Sequence, residues 1–394
     1  MPFMSLASRR EYLCRMKPRY LKAASTEKTK MLDEYCTSTG LNRKYVIDCL
    51  SAKTDVTPNK KTPRKKRRPR YGNTETYYLH KIWEVLDYPC GARLKPVIGE
   101  MIAKLRQWNE LDVPHAVEEK IVKIAASTID EKLKRSKREA RHKILGTTKP
   151  GSLLKRQIPI RTVSWDEKRA GYCELDTVAH CGTSAFGDYA NTVDLTDLLT
   201  QWSEQEAILG KGQKTTRMAL ERIKQRLPFA LKGIDPDNGG EFINWHLLEW
   251  CSQQKIEFTR GRPYQKNDNA HIEQKNWTHV RKLVGYGRIE DPRIINLLND
   301  LYRNEWRLYM NFFQPTMKLV DKKRWGEHHE KIKRIYDQPK TPYQRVLACS
   351  DVPEENKQKL RTIYERLNPA QLRRVIIEKR KVLGRAITAE REKK

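Results

Sequence analysis

Residues 173–180 (CELDTVAH), followed by 189–196 (YANTVDLT) and 205–209 (QEAIL), set the fold class. Each run is short and strand-like, and polar residues separate them. Further on, 214–228 (KTTRMALERIKQRLP) reads as an amphipathic helix and 230–235 (ALKGID) as a strand. Residues 245–255 then read as a helix, 256–261 (IEFTRG) as a strand and 269–285 as a long helix. Three strands followed by alternating helices and strands describe a mixed α/β sheet that begins as a meander. Asp176 breaks the pattern, standing mid-strand among apolar neighbours. A carboxylate in a strand that otherwise reads as buried is costly unless something such as a metal ion compensates it.

Two more acids stand out by context. Asp237 follows a strand in GIDPDNGGEF, where Asn238-Gly239-Gly240 imposes a turn. Glu273 lies on the helix that begins in RPYQKNDNAHIEQKNW, with 35 residues between it and Asp237. Acidic residues are common in this chain, so the spacing carries weight only together with the strand end, the Asp-Asn-Gly turn and the helix.

On these residues the chain resembles the retroviral-integrase-like DDE transposase and integrase superfamily over roughly residues 165–315. ELDTVAHCG matches the first acidic strand of that family. IDPDNGGEFIN matches its DNG-x-EF segment, and RPYQKNDNAHIEQKNW matches the segment around the third acid. The flanking KPGSLLKRQIPIRT and NFFQPTMKL also resemble bacterial insertion-sequence transposases. The resemblance implies a ribonuclease H-like α/β core, with five strands and flanking helices. It also implies that Asp176, Asp237 and Glu273 act as catalytic residues and as ligands for two Mg²⁺ or Mn²⁺ ions. The second segment contains an extra aspartate, Asp235, which either assists or is simply solvated. Retroviral integrases carry an N-terminal zinc module, and nothing here matches it. His80, His115 and His142 and Cys14, Cys36, Cys49 and Cys90 lack ligand spacing.

The implied activity is that of a transposase of a mobile element. It binds the element's ends, cuts them to free a 3′-OH with water as nucleophile, and joins that hydroxyl to target DNA. Three hard carboxylate ligands suit such two-metal chemistry, which needs no Ser or Tyr nucleophile. The alternatives are a catalytically silent DNA-binding regulator and a ribonuclease H-type nuclease. Around the triad, Lys266, Asn267, Asn269, Lys275, Asn276, Arg281 and Lys282 are candidate DNA contacts, though a solvated helix surface would carry the same residues. His180, His271, Trp202, Trp277, Cys173 and Cys181 read as packing residues.

The flanks carry the charge. The chain has 394 residues, 79 Lys+Arg against 49 Asp+Glu, and a net charge of +30. Residues 1–150 contribute a net +17, whereas 171–290 hold 15 basic and 16 acidic residues. Such an excess points to a polyanion, usually nucleic acid, and here double-stranded DNA. A hydrophobic content of 38% supports real cores and argues against wholesale disorder. No apolar run approaches the roughly 18 residues of a membrane span, and the start lacks a signal-peptide core. The eight scattered cysteines fit reduced thiols, so the expected location is cytoplasmic.

Residues 1–56 are expected to form a helix-turn-helix module. Met31, Leu32, Tyr35 and Cys36 form one apolar stripe and Leu41, Tyr45, Val46 and Leu50 a second, around Ser38-Thr39-Gly40. Asn42, Arg43 and Lys44 open the second helix, where base-reading side chains usually sit, although any small helical hairpin gives this pattern. Residues 57–72 form a basic linker in which Lys65, Lys66, Arg67 and Arg68 would lie along phosphates or serve only as a solvated tether. A second helical DNA-binding region is expected over 73–148, with Ser127 as an N-cap within it. A linker at 149–164 leads into the core at 165–315, and a basic, mostly helical region spans 316–394. The family works as multimers on paired DNA ends, so a homo-oligomer on DNA is implied.

Overall fold

The computed structural model describes residues 4–51, 70–134, 136, 169–184, 186–236, 242, 244–259, 275–325 and 331–392. The chain divides into two compact units, Met1–Arg70 and Tyr71–Lys394. Lys65–Arg68, the linker at 149–164, Asp237, Lys266, Asn267, Asn269, His271 and Glu273 lie outside the described residues.

Among the described residues the first unit has three helices, α1 (Leu6–Lys22), α2 (Ser25–Thr39) and α3 (Arg43–Ser51). Leu13, Met16, Tyr20, Leu32, Tyr35, Val46 and Leu50 form its core. Gly40 takes φ 68°, which glycine adopts without strain, and its N–H reaches Cys36 O at 2.8 Å to end α2. The side chain of Asn42 then accepts from Lys44 N at 2.9 Å and opens α3. Tyr45, read as part of the apolar stripe, is exposed instead.

The second unit begins with α4 (Asn73–Val85), α5 (Gly91–Leu94), α6 (Ile98–Gln107), α7 (His115–Val122) and α8 (Ala126–Lys132). Ser127 does not cap α8. Ala125 occupies that position without a side-chain hydrogen bond. Gly91 allows α5 and α8 to meet, because a Cβ there would lie 2.1 Å from Ala126 O.

The strands are β1 (Tyr172–Ala179), β2 (Ala190–Asp197), β3 (Ser203–Leu209), β4 (Gly233–Pro236) and β5 (Glu257–Phe258). They form one sheet in the order β3-β2-β1-β4-β5. The first three pair antiparallel, and β4 and β5 run parallel to β1. This is the ribonuclease H-like arrangement implied by the resemblance. Helices α9 (Gln213–Arg226) and α10 (Trp245–Gln253) cover one face through Leu175, Val193, Leu195, Leu220, Ile223, Ile234 and Trp250.

The other side is packed by helical segments from Asn276 to Phe313. They comprise a π-helical stretch Asn276–Arg281 leading into α11 (Lys282–Val284), then α12 (Pro292–Leu301), a π turn Tyr302–Trp306, and α13 (Arg307–Phe313). The outer edge of β3 would otherwise expose unpaired backbone groups. Asn311 bonds both the N–H and the C=O of Ser203, and Asn299 does the same for Ala207. Arg226 Nη2 donates to the carbonyl of Gln205 between them.

Helices α4–α8 share one hydrophobic cluster with α12, α13 and the C-terminal helices α14 (Pro342–Ala348), α15 (Glu354–Arg366) and α16 (Pro369–Glu392). Polar contacts reinforce the join: Tyr309 Oη donates to Val85 O at 2.5 Å, and Trp108 Nε1 to Leu367 O at 3.1 Å. Asp87, at φ 57°, is held by Arg373 at 2.5 Å and by Lys282. Between α13 and α14 the chain forms an antiparallel ribbon of β6 (Leu319–Trp325) and β7 (Lys331–Tyr336). The region is otherwise mostly helical, as expected, and the ribbon is the part that the sequence reading does not foresee. The run of charges in LVDKKRW shows no period-2 alternation that would mark a strand.

Glu204 and Glu206 are fully buried and bound by arginines. Glu204 accepts from Arg226 Nε and Arg307 Nε, each at 3.0 Å, and Glu206 from Arg226 Nη1 at 3.1 Å and from Arg303. Removing one partner of such a cluster leaves buried charge behind. Because Arg303 is partly exposed and can resolvate, Glu206→Ala is expected to cost about 3 kcal/mol, the lower end for a broken buried pair. The loss would be read as a lower urea midpoint at unchanged m-value. An unaltered midpoint would show that the arginines do not depend on this carboxylate.

Candidate active site

Along β1 every residue is buried except Asp176, which is half-buried. Its carboxylate is held at both oxygens. Thr177 N donates to Oδ1 at 2.7 Å, and Asn276 Nδ2 donates to Oδ2 at 2.5 Å. Asn276 opens the π-helical stretch, so this bond ties the start of that helix to the middle of β1. Asn276 Oδ1 is buried and finds no partner among the described residues.

The parallel register of β1 with β4 pairs Glu174 with Asp235 and Leu175 with Pro236. In sequence, Asp176 follows Leu175 and Asp237 follows Pro236. Asp235 is fully buried, and its Oδ1 accepts from Thr259 Oγ1 at 2.9 Å. It is therefore not a solvated bystander but part of the joint between β4 and the segment after β5.

Beside Asp176 lies a buried polar layer that sequence reasoning misses. Directly opposed residues of antiparallel strands point to one face. The register Asp176↔Asp194↔Gln205 therefore places these three side chains in one row. Asp194 Oδ1 accepts from Gln205 Nε2 at 2.9 Å, while its Oδ2 is buried without a partner among the described residues. Burial pushes the Asp194 carboxyl up to about 7. The Lys275 ammonium is also buried, donates to Gln201 O at 3.1 Å, and is pushed down to about 7 by burial. The opposite charges of Asp194 and Lys275 partly counter both shifts.

Two residues along β2 from Asp194 and on the same face, His180, Thr192 and Tyr302 form a buried chain, with His180 Nε2 and Thr192 Oγ1 at 2.8 Å and Thr192 Oγ1 and Tyr302 Oη at 3.1 Å. Burial, aided by the charge of Arg281, pushes His180 down to about 3, so it is neutral. That agrees with its reading as a packing residue. The only sequence signal for Asp194 is the one that singles out Asp176, a carboxylate inside a strand-like run.

The structure distributes the remaining candidates unevenly. Lys275 is buried, and Asn276 turns towards Asp176, so neither faces outward as a surface DNA contact would. Arg281 is half-buried, with its guanidinium 4.5 Å from the Tyr286 ring. Lys282 is exposed but paired with Asp87. In the first unit Lys44 is exposed, and Arg43 is exposed but paired with Asp33. Trp202 is buried, with Nε1 donating to Glu204 at 3.0 Å. Trp277 is 43% exposed, contrary to its reading as core.

Among the described residues no group of three or more His, Cys, Asp or Glu could hold a metal ion. The half-buried carboxylate of Asp176 and the orphaned Oδ1 of Asn276 are nevertheless hard oxygen donors, which suit Mg²⁺ or Mn²⁺. No described helix is long and apolar enough to cross a membrane.

No family model matches the chain. It is 35% identical over 345 residues to the uncharacterized protein y4rM of Sinorhizobium fredii, covering 87% of this chain and 96% of that one. Among solved structures, the catalytic core domain of HTLV-2 integrase in complex with magnesium (dimeric form) is 14% identical at a TM-score of 0.29, covering 38% of this chain and 91% of that one. The catalytic core domain of BIV integrase is 14% identical at 0.28, covering 48% and 98%. Superpositions this loose give no residue correspondence.

The neutral, buried His180 makes a pH prediction. Its folded pKa, about 3, lies below the ordinary value of 6.5, so the unfolded chain takes up a proton that the folded chain refuses. Its contribution is intact above pH 6.5 and is lost progressively as pH falls from there towards 3. Between pH 7 and pH 5 the wild type should lose about 2 kcal/mol more than His180→Gln in urea unfolding. Equal losses would mean that His180 charges freely in the folded state.

Proposed function

The chain belongs to the family of the Sinorhizobium fredii protein y4rM, and for this chain we propose the function of a DDE transposase or integrase. In this reading it binds the ends of a mobile DNA element and joins them to target DNA. The observation that carries the proposal is the hydrogen bond from Asn276 to Asp176. In sequence, Glu273 precedes Asn276 by three residues, and Asp237 follows Pro236, the last residue of β4, which pairs with Leu175 next to Asp176. The chain's connectivity thus supports convergence of all three acids on one point of the sheet.

Asp176, Asp237 and Glu273 would hold two divalent ions, with Mg²⁺ or Mn²⁺ favoured by the all-oxygen donor set. Such ions supply Lewis acidity and activate the attacking oxygen. The chain's own residues do the rest. Asn276 and Thr177 N fix the orientation of the Asp176 carboxylate before DNA arrives. The buried layer of Asp194, Gln205 and Lys275 backs that strand with a rigid polar wall. In the first step, water attacks the phosphodiester at the element's end and the bond to the 3′ oxygen breaks, leaving a free 3′-OH. In the second step, that hydroxyl attacks a target phosphodiester in line, forming one phosphodiester as another breaks, with no enzyme-linked intermediate.

Polar and basic residues of the flanks, Asn42, Arg43 and Lys44 and Lys65–Arg68 among them, would hold the DNA, as would Lys266, Asn269, Arg281 and Lys282 beside the triad. Pairing two element ends calls for a homo-oligomer on DNA.

The test is strand transfer by the purified chain, with Mg²⁺ or Mn²⁺ and duplexes carrying the sequences that flank its gene. Asp176→Asn, Asp237→Asn and Glu273→Gln should each abolish joined products while DNA binding persists. Cleavage without joining would instead identify a nuclease. Binding without any metal-dependent chemistry would identify a silent regulator.

Asn276→Ala releases Asp176 without removing a carboxylate. It should raise the Mg²⁺ concentration for half-maximal joining about 10-fold, the lower range for loss of a residue that orients a metal ligand. Excess Mg²⁺ should restore the rate. An unchanged Mg²⁺ requirement would remove Asn276 from the site.

A further inference from the structure

We propose that the β6–β7 ribbon is a DNA-binding arm that lies in the major groove of duplex DNA. The proposal rests on the reading of DNA as this protein's substrate. In sequence, 319–325 and 331–336 contain six basic residues against a single acid, Asp321. Among the described residues the two strands pair with each other alone, in a two-stranded sheet. An isolated two-stranded hairpin is marginal in water. This one is weakened further, because Lys323 stands directly opposite Lys333 and both are exposed. Like charges in opposed positions destabilise a ladder. The next pair in the register, Lys322 with Arg334, is again basic on both strands. Val320 is 66% exposed and Tyr336 is exposed too, so these apolar side chains stand uncovered. A polyanion laid against the ribbon would turn this repulsion into attraction, and the major groove, about 12 Å wide, admits a two-stranded ribbon.

The root of the ribbon, in contrast, is firmly held. Thr316 and Lys340 exchange backbone hydrogen bonds at 2.9 and 3.1 Å. Asp337 accepts from Lys318 N at 2.7 Å and from Arg345 Nη1 at 2.6 Å, and Arg345 Nη2 donates to Thr316 O at 3.0 Å. Thr316 and Met317 also line a cavity of about 240 Å³ together with Lys275, Thr278, His279 and Lys282 of the helix that binds Asp176. The arm is thus anchored beside the candidate active site, and DNA held along it would lead there.

The test measures affinity for a short fluorescent duplex by anisotropy over a series of KCl concentrations. In the variant Lys323→Ala/Lys333→Ala/Arg334→Ala, the slope of log K against log[KCl] should become shallower by about 0.9 for each phosphate no longer neutralised, about 2–3 in all. An unchanged slope would overturn the proposal. The single variant Lys323→Glu sets an opposite charge against Lys333. It should slow hydrogen exchange in the ribbon while weakening DNA binding. If ribbon protection and DNA affinity fell together, the charges would be acting through folding alone, and the proposal would fail. Equal loss of affinity for an A-form RNA duplex, whose major groove is too narrow for a ribbon, would also overturn it.

The two readings fail separately. Ribbon-dependent DNA binding without metal-dependent chemistry would sink the transposase and leave the arm. Normal joining with a ribbon-independent salt slope would do the reverse.

Discussion

A carboxylate at the centre of a buried strand must be compensated, and the organisation of the larger unit follows from that need at Asp176. Both of its oxygens are engaged, one by the backbone of Thr177 and one by Asn276. The second bond is the long-range one. It draws the helix after Glu273 onto β1 and gives the sheet an opening at the one β1 residue that is not buried. Without it, the start of that helix would lose its polar tie to the middle of β1.

Burying polar groups on the same side demands further compensation, which the chain supplies in layers. Asp194 and Gln205 bond each other, Lys275 finds the carbonyl of Gln201, and Thr192 links His180 to Tyr302. At the sheet's edge, Asn299 and Asn311 complete the hydrogen bonding of β3, and the arginines around Glu204 and Glu206 neutralise two buried acids. An apolar face would pack at lower electrostatic cost. The polar solution gives a rigid, dry wall behind a carboxylate that has to hold its orientation. The cluster that seals this wall extends through α4–α8 to the C-terminal helices, so the helical region 73–132 belongs to the same packed body as the sheet.

Much of this is legible in the residues. The short runs at 173–180, 189–196 and 205–209, bounded by polar or glycine-bearing stretches, read as strands, and Asp176 is conspicuous because a carboxylate is misplaced there. Asp194 presents the same anomaly, but its significance depends on a register that no local pattern reveals. Lys275 and Asn276 read as surface groups because long polar side chains on a helix usually are. Their inward direction is set by the π-helical turn and by the partners that wait across the sheet. Tyr45 and Trp277 depart in the opposite sense, since helical spacing identifies an apolar residue but not whether anything packs against it.

Most strands and helices, the places where charge accumulates, and the acids that stand out from their surroundings are all readable in the chain itself, because they follow from local periodicity, turn chemistry and composition. Four outcomes are not. Asp176 is held from across the molecule, Asp194 stands beside it, α4–α8 pack against the C-terminal helices, and a charge-rich stretch forms a ribbon. Each of these depends on pairing between residues far apart in the chain or on what packs against a segment once it is placed. Such pairing is selected by the burial and hydrogen bonding of the whole unit, which no local stretch contains.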